Sequence, residues 1–327
     1  MSLSYLEAVV VGAVQGVTEL FPVSSLGHAV VLPALIGGQW ERDLNVAAPE
    51  SPYLAFIVGL HVATALALLV FFWRDWLRII GGFVTSLRYR RIQTSGERLA
   101  WLIILATIPV GIAGLLLEHL FRTVLGKPIP AAAFLIANGL VMGLGEWLRR
   151  RASARAVAPA RDELAVAATP PGSGAKGTAA SSSRSAPGTE AQADADSDAR
   201  LATMRLGTGV GIGAAQTLAL LPGISRSGVT MVAGLLAGLS HRDAARFAFL
   251  LATPVILAAG ALKLPDLFGP LGAGIHGQIL AGSIAAFVGA LLSVRFLERY
   301  FRVRTLTPFA VYCTLFGAVA LVVLSVR

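Results

Sequence analysis

Apolar stretches about as long as a bilayer crossing, roughly 20 residues, recur along this chain. They lie at 53–73, 99–121, 131–148, 245–263, 277–294 and 307–326, with charged or turn residues between them. Each run predicts a transmembrane helix. Two further segments are of another kind, a helical apolar pattern interrupted by polar residues: Gln15-GVTELFPVSSLGH-Ala29 and Gln216-TLALLPGISRSGV-Thr230. Laid on one another without a gap, Gln15 falls on Gln216, Leu20 on Leu221, Ser24 on Ser225 and Gly27 on Gly228, and a proline sits beside the break in both. Each copy predicts a broken helix.

Composition fixes the solvent. With 55% hydrophobic and 14% charged residues and a mean hydropathy of +0.72, the chain is an all-α polytopic membrane protein, not a soluble globule. The formal charge of +9 could suggest a nucleic-acid partner, but most basic residues are Arg beside the ends of the apolar runs, where they act as topology signals. Arg74, Arg78, Arg88, Arg90, Arg91 and Arg98 outnumber Asp75 and Glu97, which puts that loop in the cytoplasm; no nucleic acid is expected. Alternation then places Arg149–Arg151, Arg200, Arg205, Arg242, Arg246 and the Arg295–Arg304 group inside. The Arg-poor loops 38–52, 122–130 and 264–276 fall outside.

That alternation closes only if each broken helix enters and leaves on one side, as a re-entrant hairpin. The expected architecture is an inverted repeat: residues 1–151 with a hairpin at about 5–37 and three spans, and 204–327 with a hairpin at about 205–240 and three spans. Non-helical backbone at such depth needs protein cover or water, so a cavity is implied. Residues 152–203, rich in Ala, Ser, Gly and Pro, predict a disordered cytoplasmic linker. The single Cys313 can form no intrachain disulfide. The first residues lack a basic n-region and are not read as a cleaved signal peptide.

A mid-membrane carboxylate costs about 2.5 to 3.5 kcal/mol on insertion scales, so Glu19 is expected to act. Gln15 shares its helix face at i, i+4 spacing, and oxygen ligands on one face suit a hard divalent cation, Mg²⁺ or Ca²⁺. The plain alternative is a Glu held for packing. Ser24, Ser25 and Gly27 could be close-packing residues, but His28 so near a hydroxyl offers either a nucleophile with a proton shuttle or a nucleophilic His with a supporting Ser. In the second copy, Gly223, Ser225, Arg226, Ser227 and Thr230 combine backbone N–H groups, hydroxyls and a guanidinium into an anion cradle. Arg226 needs a negative partner, either Glu19 across the repeat interface or a phosphate. Together these residues are equipment for phosphoryl chemistry on a lipid-linked substrate.

The stretches Q-x-x-x-E-L-F-P-V-S-S-x-G-H and P-G-I-S-R-S-G-V-T, one per half, resemble the undecaprenyl-pyrophosphate phosphatase, or bacitracin-resistance, family. The resemblance covers all but the 152–203 linker. It implies a divalent-cation-dependent enzyme of the bacterial cytoplasmic (inner) membrane, its site facing the extracytoplasmic side. Such an enzyme removes the terminal phosphate of the polyprenyl pyrophosphate left by peptidoglycan assembly. By matching position it implies Gln15 and Glu19 as the metal-associated motif, Ser25 and His28 as the catalytic pair with Glu19 and Arg226, and Ser24, Gly223, Ser225, Arg226, Ser227 and Thr230 as the pyrophosphate cradle. Attack by Ser25 with His28 assisting is preferred over attack by His28. Many members carry Glu where this chain has Gln15, so a two-carboxylate site is not expected here. The expected partners are the lipid substrate, the bilayer and a second copy in a homodimer. A lipid flippase or anion transporter is the rival, because broken helices at midplane are a transporter architecture; a purely structural membrane protein leaves Glu19, His28 and Arg226 unexplained.

Overall fold

A computed structural model of the chain describes residues 3–44, 52–120, 125–167, 190–269 and 272–327. Among these residues every regular element is helical. In chain order they are α1 (Tyr5–Thr18), α2 (Ser25–Ile36), α3 (Gly38–Asp43), α4 (Pro52–Phe71), α5 (Trp73–Tyr89), α6 (Ser95–Leu120), α7 (Pro128–Ala167), α8 (Glu190–Thr203), α9 (Leu206–Ala215), α10 (Arg226–Leu236), α11 (His241–Phe268), α12 (His276–Tyr300) and α13 (Thr307–Val326); a 3₁₀ turn at Gln216–Leu220 continues α9.

Among the described residues five helices are long and apolar enough to cross a membrane: α6, α7, α11, α12 and α13. The sixth expected span, 53–73, is α4, which bends by 84° into α5. α5 is amphipathic, with Leu77, Ile80 and Val84 exposed on a helix that also carries Arg74, Arg78 and Arg88. Such a helix suits the membrane boundary. The crossing helices show apolar faces outward, Leu115 and Leu116 on α6 being 71% and 75% exposed, as lipid contact requires and water contact would not. By contrast α1 has 14 residues, or about 21 Å at 1.5 Å per residue, too short for a hydrocarbon core of about 30 Å.

Small residues let the broken helices sit deep. A Cβ on Gly12 would lie 2.8 Å from the Gly282 carbonyl carbon, and one on Gly16 2.9 Å from the Ala290 nitrogen, so α1 and α12 touch backbone to backbone. The α9–α6 contact is built alike: a Cβ on Gly213 would fall 2.6 Å from the Ala106 carbonyl carbon. This is the small-residue packing used where lipid supplies no hydrophobic drive between helices. α4 lies against α11 and α12, α7 against α13, and α10 against α7 and α11.

The stretch expected to be a disordered linker, 152–203, is helical at both ends of its described part. α7 runs on to Ala167 and α8 spans Glu190–Thr203, while 168–189 lies outside the described residues. The cause at α8 is charge. Arg246 is 1% exposed, and its Nε meets Asp198 of α8 at 2.9 Å while its Nη2 meets Asp75 of α5 at 2.9 Å. Arg78 contacts the same two carboxylates. Arg200 grips Asp243 through two nitrogens at 2.9 and 2.8 Å. The composition of the segment reads as solvated, but its Asp198 is the counterion of arginines on α5 and α11, and its Arg200 that of Asp243 on α11.

Candidate active site

The two breaks share a cap. Ser24 is the N-cap of α2 and Ser225 the N-cap of α10; each side-chain oxygen accepts from the N–H three residues on, Gly27 or Gly228, at 3.2 Å. The aligned Ser-x-x-Gly positions are therefore a duplicated N-cap. Ser24 takes φ +71°, a sparsely populated conformation for a side chain other than glycine, of the kind found at functional sites. Gly223 takes φ +111°, and a Cβ there would lie 2.5 Å from the Ala131 carbonyl oxygen, so the turn into α10 requires glycine. Asn138 of α7, fully buried, ties the breaks together by donating to the Pro22 carbonyl at 3.2 Å and accepting from the Ser225 N–H at 3.0 Å.

With both caps so placed, Ser25 and Arg226 are each the first residue of their helix, and both border one cavity of about 290 Å³. Glu19, at the end of α1, lies between them with its side chain 4% exposed. Its Oε1 accepts from Arg226 Nη2 at 2.5 Å. Its Oε2 accepts from Gln15 Nε2 at 3.0 Å and from the Ser25 hydroxyl, and His61 Nε2 of α4 stands 3.4 Å away. The carboxylate is held by four side chains from four helices. Elsewhere the cavity wall is mostly apolar, formed by residues such as Ile57, Val110, Val255 and Ile256, which leaves the charges in a setting of lowered dielectric where each interaction counts for more.

The hydroxyl, carboxylate and guanidinium that the sequence picks out thus converge, across a gap of 207 residues between Glu19 and Arg226. Comparison with known proteins gives the family: the model described as bacitracin resistance protein BacA matches residues 8–319. The chain belongs to the BacA family. It is similar to an undecaprenyl-diphosphatase of Mycolicibacterium paratuberculosis, 66% identical over 325 residues and 99% of both chains. It is also similar to undecaprenyl-diphosphatase 1 of Frankia casuarinae, 56% identical over 364 residues and 98% of both. An undecaprenyl-diphosphatase of Gluconobacter oxydans is 39% identical over 323 residues, 97% of this chain and 98% of that one.

In this BacA-family chain some expected site residues face elsewhere. The Ser25–His28 pair is not formed. His28 Nδ1 donates to the Ser24 carbonyl at 2.7 Å, Nε2 accepts from the Tyr312 hydroxyl at 2.8 Å, and the ring stacks on Phe316. His28 borders a small apolar pocket instead of the cavity, and the partner of Ser25 is Glu19. Within the expected cradle, Ser24, Ser225 and Arg226 border the cavity, whereas Gly223, Ser227 and Thr230 do not. The Ser227 hydroxyl reaches the Phe21 carbonyl at 3.3 Å, and Thr230 bonds back to the Arg226 carbonyl at 2.7 Å. Gln15 gives its amide nitrogen to Glu19. Among the described residues no group of three or more His, Cys, Asp or Glu side chains could hold a metal ion.

His61, Gln216 and Lys263 border the cavity without belonging to the expected site. The signal for His61 was present, since it is the one His, Lys, Arg, Asp or Glu in the 53–73 run, and such residues in a span are functional candidates by default. Its Nδ1–H donates to the Ile57 carbonyl at 2.9 Å, which fixes the ring and turns Nε2 toward Glu19.

Proposed function

We infer that the chain is an integral-membrane phosphatase that hydrolyses undecaprenyl pyrophosphate to undecaprenyl phosphate and inorganic phosphate. It recycles the lipid carrier for cell-wall synthesis and, as the family name states, opposes bacitracin. The observation that carries the reading is the meeting of the Ser25 hydroxyl, the Glu19 carboxylate and the Arg226 guanidinium at one wall of a mostly apolar cavity. A diphosphate with a long apolar tail matches such a space.

In the proposed reaction the Ser25 oxygen attacks the terminal phosphorus while its proton passes to Glu19. The bond from that phosphorus to the bridging oxygen breaks, and undecaprenyl phosphate leaves as an anion that needs no proton. Water then attacks the phosphoserine, giving inorganic phosphate, and Glu19 returns the proton to Ser25. Arg226 exchanges Glu19 for phosphate oxygens, and the N-termini of α2 and α10 add N–H groups and the positive ends of two helix dipoles. Such fixed donors are the main source of rate in phosphoryl transfer. His28 has a positioning role, holding Ser24 in the conformation that presents Ser25.

A divalent cation would fit as a companion of the substrate, held by the Glu19 carboxylate alone among the protein side chains, as Mg²⁺ with phosphate ligands often accepts. Once bound it neutralises diphosphate charge; Gln15 then orients Glu19. The inverted repeat is supported by exchanged packing, α1 on α12 matching α9 on α6, and α2 on α13 matching α10 on α7. The Arg distribution supports a site open to the extracytoplasmic side of the inner membrane. A flippase would need no hydroxyl set on a carboxylate. Phosphate release from C55 pyrophosphate by purified protein tests the function, and a protein that moves the lipid across vesicles without releasing phosphate would overturn it.

A further inference from the structure

Gln216 is the aligned counterpart of Gln15, and the two amides meet different fates. Gln15 spends its Nε2–H on Glu19, one helical turn on, at 3.0 Å. The residue one turn on from Gln216 is Leu220, which can accept nothing. Gln216 is 1% exposed, and neither its Nε2 nor its Oε1 has a hydrogen-bond partner. It borders the cavity that holds Glu19, Ser25 and Arg226.

A buried amide with both ends unmet is costly, since burial strips its water and nothing replaces it. A leucine would fill the same space at lower cost, as Leu220 does close by. Retention of the amide here calls for a partner that arrives with the ligand. We propose that Gln216 is a substrate-orienting residue whose Nε2–H donates to a phosphate oxygen of the bound diphosphate, while Oε1 is left to accept from a water or a protonated phosphate oxygen. It adds a neutral donor beside the Arg226 guanidinium, so the phosphates are gripped from the α9–α10 side while Ser25 attacks from α2. This rests on the phosphatase reading, and it places a contact where the α9 helix gives way to its 3₁₀ turn.

The test uses full-length protein in detergent, C55 pyrophosphate with Mg²⁺, and the variants Gln216→Leu and Gln216→Glu. Gln216→Leu is expected to lower kcat/KM by about tenfold or more, the loss of one hydrogen bond to a charged group, with a thermal midpoint equal to or above that of the unaltered protein. Gln216→Glu keeps the shape but faces phosphate with negative charge, so its loss should exceed that of Leu. A loss under tenfold for Leu, a lowered midpoint accompanying the loss, or a Glu variant more active than the Leu variant overturns the proposal. Absence of phosphate release from the unaltered protein overturns the phosphatase reading itself, a result distinguishable from any behaviour of the two variants.

Discussion

The proposed reaction has Arg226 make two contacts in sequence, Glu19 before substrate binds and phosphate after, and substitutions can separate them. Arg226→Ala removes both. The Glu19 carboxylate, 4% exposed, would keep Gln15, Ser25 and His61 as partners while losing the guanidinium at 2.5 Å. Breaking a buried pair costs about 3 to 5 kcal/mol; with three partners retained and Arg226 itself 20% exposed, about 2 kcal/mol is the expected loss of stability. The catalytic loss is separate and larger, about 10² to 10³ in rate, as for removal of a fixed donor to developing charge. Arg226→Lys keeps the charge beside Glu19 but not the two-pronged grip on phosphate. It should hold stability within about 1 kcal/mol while losing one charge-assisted hydrogen bond to substrate, about 1.5 to 3 kcal/mol or roughly ten- to a hundredfold. The assay is inorganic phosphate released from C55 pyrophosphate, measured beside the thermal midpoint of each variant. Adding Glu19→Gln to Arg226→Ala should restore the midpoint without restoring turnover. Full activity in Arg226→Lys, or recovery of turnover in the double variant, would show that Arg226 only neutralises Glu19 and would sink its role as a phosphate ligand.

Other substitutions divide chemistry from support. Ser25→Ala should abolish phosphate release with an unchanged midpoint, whereas His28→Ala should lower both together, because it strands the Ser24 carbonyl and the Tyr312 hydroxyl; a His28→Ala protein of normal stability and no activity would return His28 to the chemical step. His61→Gln keeps a donor toward Glu19 and should retain most of the turnover that His61→Leu loses, about tenfold for one hydrogen bond to a charged group; equal kinetics for the two would remove His61 from the site. Asp198→Ala should lower the thermal midpoint, by about 3 kcal/mol for a broken buried pair, since it leaves Arg246 with Asp75 and takes a contact from Arg78; no change would mean that α8 is dispensable to the fold.

What the sequence discloses here is local, and what it hides is long-range. The apolar runs and the two breaks follow from period, Glu19 and Arg226 from the cost of charge at depth, and Ser25 only from the family resemblance. The direction in which His28 points depends on Tyr312, 284 positions away, and no spacing within the first motif contains that. Asn138 looks like a stray amide in an apolar run until Pro22 and Ser225 are brought to it. The 190–203 stretch reads as solvated from its composition; the arginines that bury Asp198 are Arg78 on α5 and Arg246 on α11, more than 40 positions away. Side-chain valence left unmet locally is the trace such contacts leave, and it was legible for Arg226 but passed over for His61.

The alignment of the two motifs carries a further consequence for chemistry. The shared positions, Ser24 with Ser225 and Gly27 with Gly228, build the break and its cap. The offset that pairs them also sets Ser25 on Arg226 and Glu19 on Leu220, so the hydroxyl proposed to attack and the guanidinium proposed to grip phosphate occupy the same first position of two helices. Identical copies could not do this work. Two Glu residues would face an anionic substrate with two negative charges, and two Arg residues would grip it with no hydroxyl to attack and no base to take the proton. A diphosphate cleaved at one phosphorus is itself unsymmetrical, one end bearing the lipid and the other departing. In the proposed reaction two helix N-termini serve the anion, and among the positions at which the motifs differ, the acid and the first residue after the cap decide which end is attacked.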